Sequence, residues 1–153
     1  MGIHGAHNDR MGEPLRVLAV DDHSYLRQGV INIIRDAFPE VIVAEAGEGA
    51  EALQKCLSES WDLVILDITL PVLNGFEILR QIKLHKPELR VIMLSLHSRR
   101  EYVSRAFELG AMGYLGKDEA VNELEPAIRS VLNGGTYISR DIAARMSRKQ
   151  KRD

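Results

Sequence analysis

Disulfide chemistry is the first thing this sequence excludes. Cys56 is the only cysteine, so no pair within the chain can be bridged, and the composition fits a reducing compartment. Aromatic residues are scarce at 5%, with Trp61 the single tryptophan, which leaves the core to aliphatic side chains. Neither sign of charge dominates: 20 Lys and Arg against 22 Asp and Glu give a formal net charge of -2. Nothing in that balance calls for nucleic acid or a membrane surface as partner. No apolar run approaches the roughly 20 residues of a membrane span, and the first residues lack the charged-then-apolar order of a secretory signal. There is no repeat and no low-complexity tract. With 153 residues, 45% of them hydrophobic, the chain is long enough to bury one core without disulfide or metal staples.

What is present is alternation. Residues 1–14, with His4 and His7, show no periodicity and read as a flexible lead or an expression remnant. Residues 15–20 are a short apolar strand that ends on Asp21-Asp22. Ser24 is placed as the N-cap of a helix carrying Leu26, Val30, Ile33, Ile34 and Ala37, which stops at Phe38-Pro39. A strand over residues 41–44 is followed by a helix with Ala50, Leu53, Cys56 and Leu57 on its inner face. The stretch Trp61-Asp62-Leu63-Val64-Ile65-Leu66-Asp67 then reads as an apolar, β-branched run of the kind buried on both faces of a parallel sheet. That run stops on Asp67. After the turn Leu70-Pro71-Val72-Leu73-Asn74-Gly75 comes a third helix, then a strand ending on Ser95 and a helix terminated by Gly110. A strand over residues 113–116 ends on Lys117. A last helix starts near Asp118 or Asn122, with Pro126 expected in its first turn, where a missing N–H does little harm. Residues 139–153 are increasingly basic and read as a helical extension or frayed linker. Five strands alternating with five helices predict a parallel sheet covered on both faces, with right-handed crossovers.

In such a sheet every strand ends at one edge, where ligands of open α/β folds bind. Asp21, Asp22, Asp67, Ser95 and Lys117 therefore arrive together. Taken singly, each has an ordinary reading: a strand-end acid, a strand-end hydroxyl, a solvated turn lysine. Together they point to shared chemistry. Clustered carboxylates repel one another, and a hard divalent cation with oxygen ligands relieves that repulsion. Lysine and a hydroxyl suit phosphoryl oxygens, and a carboxylate can itself become the nucleophile. His23, beside the acids, reads as an exposed loop histidine.

Two other chemistries fit parts of the pattern. Gly47-Glu48-Gly49-Ala50-Glu51-Ala52 matches a dinucleotide fingerprint, but Glu45, Glu48 and Glu51 surround the helix start where a pyrophosphate needs positive potential. An Asp-nucleophile phosphatase of the haloacid dehalogenase type expects a second Asp two residues after the nucleophile, and that position is Thr69.

Asp21-Asp22, Asp67 followed by Pro71 and Asn74-Gly75, Ser95, and Tyr114 three residues before Lys117 resemble the receiver domain of two-component response regulators. Ser95-Leu96-His97, the stretch from Gly110 to Leu115 and Gly134-Gly135-Thr136-Tyr137-Ile138-Ser139 are most similar to the NarL/FixJ (LuxR-type) branch. The resemblance implies a flavodoxin-like (βα)5 three-layer sandwich with a parallel five-stranded sheet in the order 2-1-3-4-5. It divides the chain into a lead (1–14), a receiver domain (15–138) and a basic linker (139–153) toward a helix-turn-helix output domain that the chain does not include. A stand-alone receiver or docking module is the alternative. By the same resemblance Asp67 accepts a phosphoryl group from a sensor histidine kinase, and the chain is a signalling domain rather than an enzyme. Asp21, Asp22, Asp67 and the Thr69 backbone carbonyl hold Mg2+, Ser95 and Lys117 contact the phosphoryl group, and Tyr114 reorients with Ser95. Thr69 and His97 tune hydrolysis. A cytoplasmic location, a homodimer on phosphorylation, DNA contact only through the output domain and no membrane contact are the remaining implications.

Overall fold

The computed structural model describes residues 12–152. Most of the expected lead, His4 and His7 included, lies outside the described residues. Strands β1 (Arg16–Val20), β2 (Ile42–Ala46), β3 (Leu63–Asp67), β4 (Arg90–Ser95), β5 (Gly113–Gly116) and β6 (Tyr137–Ile138) form one parallel sheet in the order β2-β1-β3-β4-β5-β6. Between and after them run α1 (Ser24–Ala37), α2 (Gly49–Ser58), α3 (Gly75–His85), α4 (Arg100–Glu108), α5 (Ala120–Leu132) and α6 (Arg140–Arg152).

Alternation along the strands builds two cores from one sheet, because successive side chains point to opposite faces. Val17, Leu63, Ile65, Ile92, Leu94 and Leu115 pack with Val30 and Ile34 of α1 and Leu124, Ile128 and Val131 of α5. Their neighbours Leu18, Val20, Val64, Leu66, Val91, Met93 and Tyr114 pack with Ala52 and Cys56 of α2, Ile78, Leu79 and Ile82 of α3, and Val103 and Ala106 of α4. β3 lies in the middle and is buried at all five positions, which is why its sequence is apolar without alternation until the final carboxylate.

The flavodoxin-like sheet in the order 2-1-3-4-5 is present, and a sixth strand extends it. β6 is only two residues long, too short to leave a periodic signal, and pairs Tyr137 with Gly113 and Ile138 with Tyr114. The following α6 is anchored by Ile142, 1% exposed, and by Met146, which packs on the same core as α4.

Four local expectations are corrected. Ser24 is the first residue of α1 rather than its cap; His23 holds the N-cap position, with no side-chain capping bond. Leu26, on the first turn of α1, is 37% exposed, because α1 begins beyond the sheet edge. In α2 the inward residues are Gly49, Ala52 and Cys56, while Ala50 and Leu57 face solvent. Pro126 lies in the interior of α5. It is tolerated there because it sits on the exposed face, as does Asn122, so water can take the Asn122 carbonyl that lacks an N–H partner.

Candidate functional site

The parallel register delivers the chemistry to one edge. Val20 ends β1 and hands on to Asp21, Asp67 ends β3, Ser95 ends β4, and β5 hands on to Lys117 in a 3-10 turn. Asp67 is 1% exposed, Asp21 4% and Lys117 8%. Lys117 Nζ lies 3.1 Å from Asp21 Oδ2 and 3.1 Å from Asp67 Oδ2. One ammonium thus faces two buried carboxylates. Burial, reinforced by the neighbouring Asp21 charge, pushes the Asp67 carboxyl up to about 6 although Lys117 opposes it. For Lys117, burial disfavours the charged form, yet Asp67 and Asp21 outweigh it and leave the pKa above its ordinary value.

The ammonium sits close enough to neutralise charge without satisfying the acids. Asp21 Oδ2 and Asp67 Oδ2 are both buried and neither receives a hydrogen bond of acceptable geometry. Two buried carboxylates that share a single ammonium, with Asp22 beside them, fit an additional cation with oxygen ligands. Asp21, Asp22, His23 and Asp67 each offer a ligand atom within 4.8 Å of the others. His23 is exposed and precedes α1, as expected of a loop histidine, and its Nδ1 is 3.2 Å from both Asp21 Oδ1 and Asp22 Oδ1.

The turn after Asp67 shows why its residues are needed. Asp67 Oδ1 accepts the Thr69 N–H at 3.1 Å, which orients the carboxylate, and the Thr69 residue is itself exposed. Asn74 caps α3, its side chain accepting the Glu77 N–H at 3.1 Å. Gly75 cannot be replaced: a Cβ there would lie 2.3 Å from the Asp67 carbonyl oxygen and 2.7 Å from Ile68 Cα. Between them Val72 adopts a positive φ of 66° and is fully exposed.

From Ser95 a hydrogen-bonded path leads away from the acids. Ser95 Oγ accepts the His97 N–H at 2.9 Å, and the His97 carbonyl accepts the Tyr114 hydroxyl at 2.6 Å. The His97 ring stacks on Tyr102 of α4 with centroids 4.5 Å apart. The Tyr114 side chain is fully buried, and its carbonyl accepts the Ser139 N–H at 3.0 Å. Ser139, also fully buried, takes the Gly116 N–H on its Oγ at 2.9 Å. Glu123 of α5 completes this junction, accepting the Tyr137 hydroxyl at 2.7 Å and the Arg140 N–H at 3.0 Å. Ser139 closes the Gly134–Ser139 motif of the resemblance, and the structure shows its part in this junction; Glu123 carries no signal in the sequence.

The fingerprint-like glycines serve packing instead of a pyrophosphate. The Gly47 N–H is taken by Glu51 Oε1 at 3.1 Å, and a Cβ at Gly49 would lie 2.9 Å from both Leu73 Cβ and the Leu73 carbonyl oxygen. The loop amide is occupied by an acid, and the second glycine admits the turn that follows Asp67.

Fold and site together define a doubly wound α/β domain with an acid pocket closed by a lysine at the carboxyl edge of its sheet. The family described as response regulator receiver domain matches residues 17–129, and the chain belongs to it. The chain is 36% identical over 136 residues to response regulator UvrY of Escherichia coli K12, covering 89% of this chain and 62% of UvrY. It is 37% identical over 131 residues to transcriptional activator protein ExaE of Pseudomonas putida, covering 86% of this chain and 61% of ExaE. The crystal structure of a LuxR-family two-component response regulator from Aurantimonas sp. SI85-9A1 superposes with a TM-score of 0.84 at 32% identity, over 90% of this chain and 99% of that one. The chain thus spans less than two thirds of the length of UvrY and of ExaE.

Proposed function

We propose that Asp67 is the phosphoacceptor of this receiver domain and takes its phosphoryl group from the phosphohistidine of a sensor histidine kinase. The observation that carries the reading is the pair of buried carboxylates, Asp21 and Asp67, whose Oδ2 atoms both lie 3.1 Å from Lys117 Nζ. An Asp67 carboxylate oxygen bonds to phosphorus while the P–N bond breaks. The imidazole of the kinase leaves with the bonding electron pair and recovers a proton. Asp21, Asp22, Asp67 and the Thr69 carbonyl would hold Mg2+, which when bound neutralises the acids and the phosphoryl oxygens. Lys117 contributes a second positive charge at the acceptor, and Ser95 offers a hydroxyl donor to a phosphoryl oxygen.

Phosphorylation then competes for Ser95. Its Oγ now accepts from the His97 N–H; a phosphoryl oxygen that draws the hydroxyl inward removes this acceptor and frees the loop that also holds the Tyr114 hydroxyl. The outcome is a shift between two arrangements of the α4–β5–α5 face. Thr69 and His97, two positions beyond Asp67 and Ser95, tune the lifetime of the phosphorylated state; exchanging both should change the dephosphorylation rate measured by loss of label. The output we propose is transcriptional control through a DNA-binding domain of the whole protein. The partial coverage of the relatives and the activator name carried by ExaE support it.

A small acyl phosphate or phosphoramidate with Mg2+ tests the acceptor. The wild-type chain should take up label, Asp67→Asn should take up none, and chelation of the metal should stop labelling. Undiminished labelling of the Asn variant overturns the assignment.

A further inference from the structure

The turn that carries Asp21 and Asp22 is short, lying between Val20 at the end of β1 and Ser24 at the start of α1. Only part of it is held by the sheet, through the Asp21 N–H, which donates to the Ala46 carbonyl of β2 at 3.1 Å. The other side of the turn is held from the first turns of α1. Arg27 donates from Nη1 to the Asp21 carbonyl at 2.5 Å and from Nε to Glu45 Oε1 at 2.8 Å. Glu45 belongs to β2. The Asp21 residue is therefore fixed at its N–H by β2 itself and at its carbonyl by a guanidinium anchored to β2. The Arg27 side chain is 17% exposed, which is low for an arginine.

We infer that Arg27 is a positioning residue for the acid site, holding the turn on which Asp21 and Asp22 sit and thereby setting the affinity for the divalent cation. The inference rests on the reading of Asp67 as a cation-dependent phosphoacceptor. Arg27 touches no reacting atom. Its fork reaches two acceptors at once, which a single ammonium nitrogen on a flexible stem cannot hold in a fixed plane. The sign of the effect separates positioning from plain electrostatics. A guanidinium near the site repels an incoming cation, so if charge alone mattered, its removal would tighten cation binding. If position matters, removal weakens it, as loss of groups that orient metal ligands does.

The test is calorimetric titration of the full chain with Mg2+ alone, with thermal melting of each variant alongside. Arg27→Met should weaken Mg2+ binding by about 10–100-fold, and Arg27→Lys should recover only part of the loss. Arg80→Met, which removes the exposed pair with Glu77 on α3, should bind as wild type. With a small phosphodonor, Arg27→Met should label slowly at low Mg2+ and at the wild-type rate once Mg2+ saturates. Should Arg27→Met fail to fold, Arg27→Lys and Glu45→Gln take its place, and weaker Mg2+ binding is expected of both. Mg2+ affinity unchanged or tightened in the folded variants overturns the role of Arg27. A wild-type chain that binds no Mg2+ and takes no label overturns the phosphoacceptor reading instead.

Discussion

Asp67 combines burial, a neighbouring acid and a lysine within one hydrogen-bond length, and these oppose one another. Burial and Asp21 favour the neutral acid while Lys117 favours the carboxylate, and the balance leaves Asp67 at about 6 instead of its ordinary 3.8. A carboxyl whose pKa is raised in the fold binds its proton more tightly there than in the unfolded chain. Its contribution to stability therefore falls as pH rises from about 4 to about 6, and the full cost is present above that. Asp67→Asn, which keeps the shape and removes the charge, should stabilise the metal-free chain by about 1–3 kcal/mol at pH 8. The gain should shrink toward pH 4; denaturant melts at the two pH values check it. Val72 stores a second local cost. A β-branched residue at φ 66° is strained by about 1–2 kcal/mol, and its exposed side chain recovers little by packing. Val72→Gly should raise stability by about 0.5–1 kcal/mol after the extra freedom of the unfolded glycine is set against the strain. Gly75→Ala should act in the opposite sense, because its methyl would meet the Asp67 carbonyl; loss of cooperative melting, or melting only well below wild type, is the expected result.

At the scale of elements, legibility followed length and periodicity. β3 could be read because a long apolar run ending on an acid fits a strand covered on both faces and little else, and in α1 the spacing of Val30 and Ile34 located the buried face. The site residues Asp21, Asp67, Ser95 and Lys117 were legible for a topological reason: in a parallel sheet, last residues of strands share an edge, so sequence position becomes spatial position. Arg27 and Glu123 were not, since their partners lie 6 and 17 residues away in the chain and no local pattern marks them. β6 failed for want of length. Here the structure makes a specific demand on α6. Glu123 accepts from both Tyr137 and Arg140, so Glu123→Ala leaves two donors without a partner at a cost of about 1–3 kcal/mol. Faster amide hydrogen exchange should follow at Ser139 and Ala143, with β3 unaffected.

For the molecule as a whole, one sheet separates two cores and brings its chemistry to one edge. The path from that edge, Ser95 to His97 to Tyr114 to Ser139, crosses β4 and β5 and ends at the start of α6. A charge change at Asp67 thus has a hydrogen-bonded route toward α6, and that route matters only if the phosphoryl charge arrives on that carboxylate. The most direct measurement is to label the full chain with a small phosphodonor and Mg2+, trap the acyl phosphate by borohydride reduction, and map the reduced residue by peptide mass spectrometry. Reduction at Asp67 alone is the expected outcome. Label trapped at Asp21 or Asp22, or a stable phosphoester elsewhere with Asp67 intact, would contradict the role of Asp67 as phosphoacceptor.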